Sequence, residues 1–227
     1  MGLVAVGRGR LQRKRIMTEK LEAIKVNVML LDNCLEDWRA INWQQVHHRV
    51  SRLRQRIYRA SVEGDLNKVR NLQRLMIRST ANQLSAIRQV TQYNQGRHTA
   101  GVDGHTAVTH QERLALYKLL KTYLPKHVRP VKRVYIPKAN SPNKSRPLGL
   151  PTIVDRCQQT VIKNALEPYW ETQLEASSYG FRPGRSTHDA ISRIFNMGKA
   201  NGTRSWILEA DIEGAFDHID HEYLMKS

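Results

Sequence analysis

The sequence predicts an α+β protein, and three patterns predict it. Apolar residues between Trp38 and Val90 recur at helical spacing. Residues Val131 to Ile136 alternate with the period of a strand. A second strand pattern, Trp206 to Ile212, follows two more helical segments. With 227 residues, 40% hydrophobic and 25% charged, the chain has the length and composition of one large or two small globular domains. No apolar run approaches the roughly 18 residues of a membrane span. Val26 to Leu31 is too short and too far in for a signal peptide. Cys34 and Cys157 alone exclude a disulfide framework and a cysteine-based zinc site, and point to a reducing compartment.

Charge narrows the partners. Thirty-seven Lys+Arg against 20 Asp+Glu give a formal net charge of +17, which calls for a polyanion, nucleic acid first. Aromatic residues make up 7%, so cations on phosphate rather than bases on an aromatic platform would dominate binding. A generic basic protein, such as one on a ribosome, shares this composition.

Residues 1–37 are expected to form a basic leader, disordered or weakly helical, with Arg8, Arg10, Arg13, Lys14 and Arg15 near its start. Residues 38–105 are expected to form a helical, RNA-binding extension. Val46, Val50, Leu53 and Ile57 mark its first helix, and Gly64-Asp65 breaks it. Leu66, Val69, Leu72 and Met76 mark a second helix, which Leu84, Ile87 and Val90 continue or restart. Arg49, Arg52, Arg56 and Arg59, with Arg54, decorate the first helix where acidic residues are nearly absent. They are the candidate RNA contacts. The alternative is an ordinary solvated face.

Residues 94–106 are rich in breakers and read as a loop. Gln111 to Leu124 reads as a helix ended by Pro125 and Pro130. Val131 to Ile136 is a strand, Lys138 to Arg146 a polar turn, and Pro147 to Leu150 an extended return. Ile153 to Glu175 is a helix that Pro168 is expected to kink or split. Tyr179 to Ser186 is a Gly/Pro-broken loop, and Thr187 is expected to cap a helix carrying Ile191, Ile194 and Phe195. His221 to Met225 opens another helix. Asp211 stands near the end of the predicted strand, where a carboxylate invites a pairing partner or a metal.

Four motifs occur in order: Gly101-Val102-Asp103-Gly104; Ile136-Pro137-Lys138 with Arg146-Pro147-Leu148-Gly149-Leu150-Pro151; Tyr179-Gly180-Phe181-Arg182-Pro183-Gly184; and Ala210-Asp211-Ile212 with Phe216-Asp217. Together they resemble the reverse transcriptases of mobile group II introns, the intron-encoded maturases, from Trp38 to the C-terminus. The resemblance implies a right-hand polymerase, with fingers and an incomplete palm over residues 106–227 behind the helical extension. It implies that Asp211 is a catalytic aspartate binding Mg²⁺, with the carbonyl of Ile212 as a further ligand. Phe216 would exclude a ribose 2′-hydroxyl, and Lys138 and Arg146 would grip the nucleotide triphosphate. Arg182 would lie near the template and nucleotide pocket. Implied partners are intron RNA, an RNA template with a DNA primer, dNTP, and a second chain or C-terminal portion. The compartment would be bacterial cytoplasm or an organelle with its own genome.

Two departures qualify this. The hairpin tip, Asn140-Ser141-Pro142-Asn143, is longer than is common in the family, which alters the expected register of Lys138 against Arg146. The family's second catalytic element, Tyr-Xaa-Asp-Asp, does not occur in this sequence. Two-metal catalysis needs carboxylates from both elements to hold ions about 3.5–4 Å apart, so these residues alone are expected not to polymerise. Three function classes follow: a portion of an RNA-directed DNA polymerase, a non-catalytic RNA-binding splicing factor, and a truncated remnant.

Overall fold

The structure is a computed structural model that describes residues 37–122, 130–138, 141–199, 206, 208–212 and 218–226. The expected leader therefore lies outside the described residues, apart from Asp37. The chain divides into two compact units between Gln173 and Leu174. The described residues are mostly helical, with a single two-stranded hairpin.

In the first unit, Asn42 caps helix α1 (Trp43–Val62) by accepting from the Gln45 amide at 3.0 Å. Val46, Val50 and Ile57 are buried along one face, as their spacing predicts. Gly64, with φ +73°, makes the turn, and Asp65 caps α2 (Leu66–Arg78). Of the four apolar positions predicted for α2, Leu66 stays exposed and Val69, Leu72 and Met76 are buried. The chain then restarts rather than continues. Ser79, in extended conformation, separates α2 from α3 (Thr80–Arg88), which runs on into a π-helical turn, Gln89–Tyr93.

Helix α4 is described over His110–Thr122, and its predicted end at Leu124 lies outside the described residues. Helix α5 (Ile153–Gln173) runs through Pro168 without splitting, the second of the two outcomes expected there. Pro168 is buried, and α5 packs against α1, α2 and α3, so tertiary burial outweighs the missing backbone donor. The core joins Trp38, Ile57, Met76, Leu84, Ile87, Leu116, Tyr117 and Cys157 among others.

Strands β1 (Lys132–Lys138) and β2 (Ser141–Leu150) form an antiparallel hairpin. The predicted polar turn, Lys138 to Arg146, is mostly strand, because β2 already begins at Ser141. Ile136 stands opposite Arg146 and Pro137 opposite Ser145, but Lys138 stands opposite Ser141. The lengthened tip is taken up by this shift in register, which leaves residues 142–144 out of the regular ladder. Val134, Tyr135, Ile136 and Leu148 are exposed, so neither face of the hairpin is buried in the core.

In the second unit, α6 (Thr187–Gly198) is capped by Ser186, one residue before the predicted Thr187. Ser186 and Asp189 form a reciprocal capping box. Helix α7 spans His221–Lys226. The predicted strand Trp206 to Ile212 is not found: residues 206 and 208–212 carry no strand pairing, and Trp206, Leu208 and Ile212 are exposed. Period-2 alternation is a demand for a neighbour, and no described strand hydrogen-bonds to this segment.

Gly101 explains its place in the first motif. It is buried, and a Cβ there would sit 2.7 Å from Thr152 Cα and 2.8 Å from the Pro151 carbonyl oxygen. Those are backbone atoms at the entrance to α5 and cannot rotate away. Gly101→Ala is therefore expected to destabilise the first unit by about 1–3 kcal/mol, read as a lower urea midpoint at an unchanged slope. An unchanged midpoint would show that this loop yields.

Candidate nucleic-acid interface

Arg49, Arg52, Arg56 and Arg59 follow one another along α1 at intervals of three, four and three residues. At about 100° per residue they fall within an arc of about 80°. Arg52, Arg56 and Arg59 are exposed and Arg49 is half-buried. Beside Arg49 a small cleft opens between α1 and the start of α3, lined also by Gln45 and Thr80. None of the four arginines makes an ion pair or hydrogen bond among the described residues.

The reason is a shortage of acids. From Trp38 to His98 twelve Lys+Arg face only Glu63 and Asp65. Glu63 pairs with Lys68 at 2.9 Å, and Asp65 accepts from the Lys68 amide as the cap of α2. Arg54, on the same helix, is different. It turns onto α5, where its guanidinium meets Glu167 at 2.5 Å and Asn164 at 3.4 Å. The sequence pattern did not separate Arg54 from its neighbours, because Glu167 lies 113 residues away. It also passed over Arg70, Arg74 and Arg78, an i, i+4, i+8 row on α2 that is likewise exposed and unpartnered among the described residues. The same helical count finds both rows.

The other candidate residues fall into two groups. Lys138 ends β1, and Arg146 sits exposed on β2 two residue positions further from the tip than Lys138's regular partner would be. Arg182, in the second unit, is buried, and its Nη1 donates to the carbonyls of Glu175 at 2.5 Å and Ser178 at 2.8 Å. It thereby ties its loop to the end of the preceding segment. Phe181 beside it has φ +58° with a fully exposed ring, and Gly184 has φ +68°. Asp211 is exposed, and its Oδ1 accepts from the Ile212 amide at 2.9 Å. Phe216 lies outside the described residues.

Among the described residues no three His, Cys, Asp or Glu side chains cluster as metal ligands. Asp220, which the sequence places beside His218 and His221, instead caps α7 by accepting from the Glu222 and Tyr223 amides. Asp211 with the Ile212 carbonyl offers too few donors to make a two-ion centre by itself. No described helix is long and apolar enough to cross a membrane. Cys157 is buried among apolar side chains, which pushes its thiol up to about 12 and leaves it a core residue rather than a nucleophile.

A basic helical face whose few acids are already engaged presents its cations to solvent rather than to the protein. Residues 38–120 match the N-terminal domain of reverse transcriptase, and residues 136–227 match reverse transcriptase (RNA-dependent DNA polymerase). The chain is 40% identical over 152 residues to Protein YkfC of Escherichia coli strain K12, covering 63% of this chain and 39% of that protein. It is 40% identical over 136 residues to the group II intron-encoded protein LtrA of Lactococcus lactis subsp. cremoris, covering 58% and 22%. Maturase-like protein 1 of Euglena gracilis is 30% identical over 193 residues, covering 81% and 40%. The chain belongs to the reverse transcriptase and group II intron maturase family, and it spans well under half the length of these relatives.

Two exposed carboxylates are held by caps. Glu112 lies below the usual glutamate range because the Thr109 amide and hydroxyl, then the Val108 amide, donate to it. Asp189 is lowered by the Ser186 hydroxyl and amide. A lowered folded-state pKa contributes stability that is present above the unfolded value and is lost as pH falls through the folded value. Helicity is therefore expected to hold from neutral pH down to the ordinary carboxylate range and to decline below it. Glu112→Gln should remove its share of that acid limb in a circular-dichroism titration. An unaltered limb would show that the α4 cap contributes nothing.

Proposed function

We propose that these residues form the RNA-binding and fingers portion of a group II intron reverse transcriptase that also serves as a maturase. The observation that carries this reading is the arginine face of α1. It lies within the match to the reverse transcriptase N-terminal domain, and its guanidinium groups have no described protein partner. Cations without internal partners are available to phosphates, and each phosphate neutralised releases counterions. On this reading residues 38–105 are the extension that holds intron RNA or template, and 106–227 are the fingers and the beginning of the palm. Residues 1–37 are a basic leader.

In the same reading Lys138 and Arg146 grip the triphosphate of an incoming dNTP, and Arg182 shapes the loop beside the template and nucleotide pocket. Phe216 excludes the 2′-hydroxyl. Asp211 and the Ile212 carbonyl contribute ligands to the polymerase centre, where Mg²⁺ would offset charge developing in nucleotidyl transfer. The exposure of Asp211 leaves its second oxygen open to donors from elsewhere. RNA-directed DNA synthesis on a template–primer and splicing of an intron RNA are the activities these residues serve, in a bacterial cytoplasm. The relatives from Escherichia coli and Lactococcus support that setting.

The first test is electrostatic. Replacing Arg49, Arg52, Arg56 and Arg59 together by Gln is expected to lower the slope of log Kobs against log salt by about 3 for a structured RNA, at about 0.7–0.9 per phosphate contact. An unchanged slope would take RNA binding away from α1. The second test concerns chemistry. In a polypeptide carrying these residues together with the second carboxylate element, Asp211→Asn should reduce primer extension by about 100-fold or more. RNA affinity should stay within about twofold, because Asp211 lies outside the helical extension that binds RNA in this reading. Undiminished extension would remove Asp211 from the centre. If such a polypeptide binds RNA but does not extend a primer at all, a splicing factor without polymerisation becomes the better account.

A further inference from the structure

Four side chains form a continuous chain of ring and cation–ring contacts from the core to the surface of the first unit. Trp38, almost fully buried, meets Trp43 with ring centroids 5.0 Å apart. The guanidinium of Arg88 lies over the Trp43 ring at 4.3 Å and over the Tyr93 ring at 5.1 Å. Tyr93 ends this chain of contacts and remains 54% exposed. We propose that Tyr93 is a platform on which an unpaired RNA base stacks, outside the Arg88 guanidinium. This rests on the reading of the unit as an RNA-binding domain and adds a contact of a different kind.

Three features set Tyr93 apart from an incidental surface tyrosine. Its position is set by the π-helical turn Gln89–Tyr93, a conformation that helices rarely adopt and that often marks functional positions. That turn is braced from below: buried Arg113 donates through Nε to Thr91 Oγ1 at 3.1 Å and through Nη2 to the Thr91 carbonyl at 3.4 Å. Thr91 Oγ1 in turn donates to the Ile87 carbonyl at 2.7 Å. Next, the cation behind the ring is not neutralised. Arg88 has no described carboxylate partner, its Nε is buried without a hydrogen-bond acceptor, and its Nη1 lies 3.4 Å from His47 Nε2. A ring backed by an unneutralised guanidinium favours an electron-rich base on its outer face and a phosphate nearby. Finally, Trp43 and His47 both belong to α1, so the residues that back the platform share a helix with the arginine face. Arg97, exposed four residues after Tyr93, adds a cation to the same segment, its Nη1 donating to the Gln92 carbonyl at 3.3 Å.

A base needs an accessible ring face held still, and a phosphate needs a free cation. Aromatic side chains and guanidinium planes are what unstacked RNA bases settle on, whereas a duplex keeps its bases stacked within itself. The platform therefore selects single-stranded segments, and the α1 arginines hold either form.

The test uses the 227-residue chain with a 12-nucleotide single-stranded RNA carrying one 2-aminopurine, and with a blunt RNA duplex of the same length. Binding of the single strand is expected to quench 2-aminopurine fluorescence. Tyr93→Leu should abolish the quenching and weaken single-strand binding by about 5- to 20-fold, leaving duplex binding within about twofold; Tyr93→Phe should behave as the parent. If Tyr93→Leu leaves single-strand affinity and quenching unaltered, or weakens both RNAs equally, the platform is overturned while arginine-dependent binding stands. If the parent chain binds neither RNA, the RNA-binding reading fails and the platform fails with it.

Discussion

The helical body depends on the side-chain amide of Asn82. It is fully buried near the start of α3, and its Nδ2 donates to the Met76 carbonyl at 3.0 Å and to the Val161 carbonyl at 3.1 Å. Its Oδ1 accepts from Asn164 Nδ2 at 2.8 Å. One residue thus ties the end of α2, the beginning of α3 and the middle of α5. A buried amide is costly to leave unpaired, so it tolerates few alternative packings. The seam continues outward through Asn164 and Glu167 to Arg54, with Lys163 also on Glu167 at 3.5 Å. Removing one partner of such a half-buried pair strands the other, which makes the seam a lock on relative helix position rather than simply an attraction.

Hydrogen bonding at each site decides which arginines turn inward. Arg54 and Arg113 point inward in the first unit and Arg182 does so in the second. Arg54 meets a carboxylate. Arg113 meets hydroxyl and carbonyl oxygens, and burial lowers its pKa. Arg182 meets carbonyls. In each the planar fork bonds fixed oxygens, which a lysine would reproduce poorly. The acids, meanwhile, are drawn into capping: Asp65, Asp189 and Asp220 accept from backbone amides at helix starts. A carboxylate used this way also suits the positive end of its helix. Among the described residues of the helical body, much of the unpaired positive charge is left to the outer faces of α1 and α2.

Local patterns carried much of this. The apolar periods of α1, α2 and α5 placed the core, the Gly64 break placed the first turn, and the order of four motifs placed the family. What sequence could not show depended on partners far along the chain. Arg54 reads like Arg52 and Arg56 until Glu167 is brought beside it. The contact series of Trp43, Arg88 and Tyr93 joins residues 45 to 50 positions apart in different elements, with no repeat to announce it. Gly101 reads as a turn glycine, yet its constraint comes from the Pro151–Thr152 backbone. The early start of β2 was hidden because Ser, Pro and Asn in its first residues carry a turn composition, and only the pairing of Ser141 with Lys138 beyond the bulge brings them into the strand. Trp206 to Ile212 erred the other way, since alternation alone cannot supply the neighbour that a ladder needs.

The two units differ in what holds them. In the first, buried apolar side chains and a satisfied polar seam determine where each surface cation stands, so its candidate RNA contacts inherit the rigidity of the core. In the second, α6 is capped correctly but buries none of its residues, and Ile191, Ile194 and Phe195 remain exposed on one helical stripe. A capping box sets where a helix begins, whereas most helix stability comes from burying its apolar face. The loop held by Arg182 is organised by hydrogen bonds to its own neighbourhood rather than by a core. Binding through the first unit needs only surfaces that are already braced. In the proposed reading nucleotidyl transfer demands sub-ångström placement of Asp211, and a unit whose apolar stripe on α6 stays exposed does not by itself supply that rigidity.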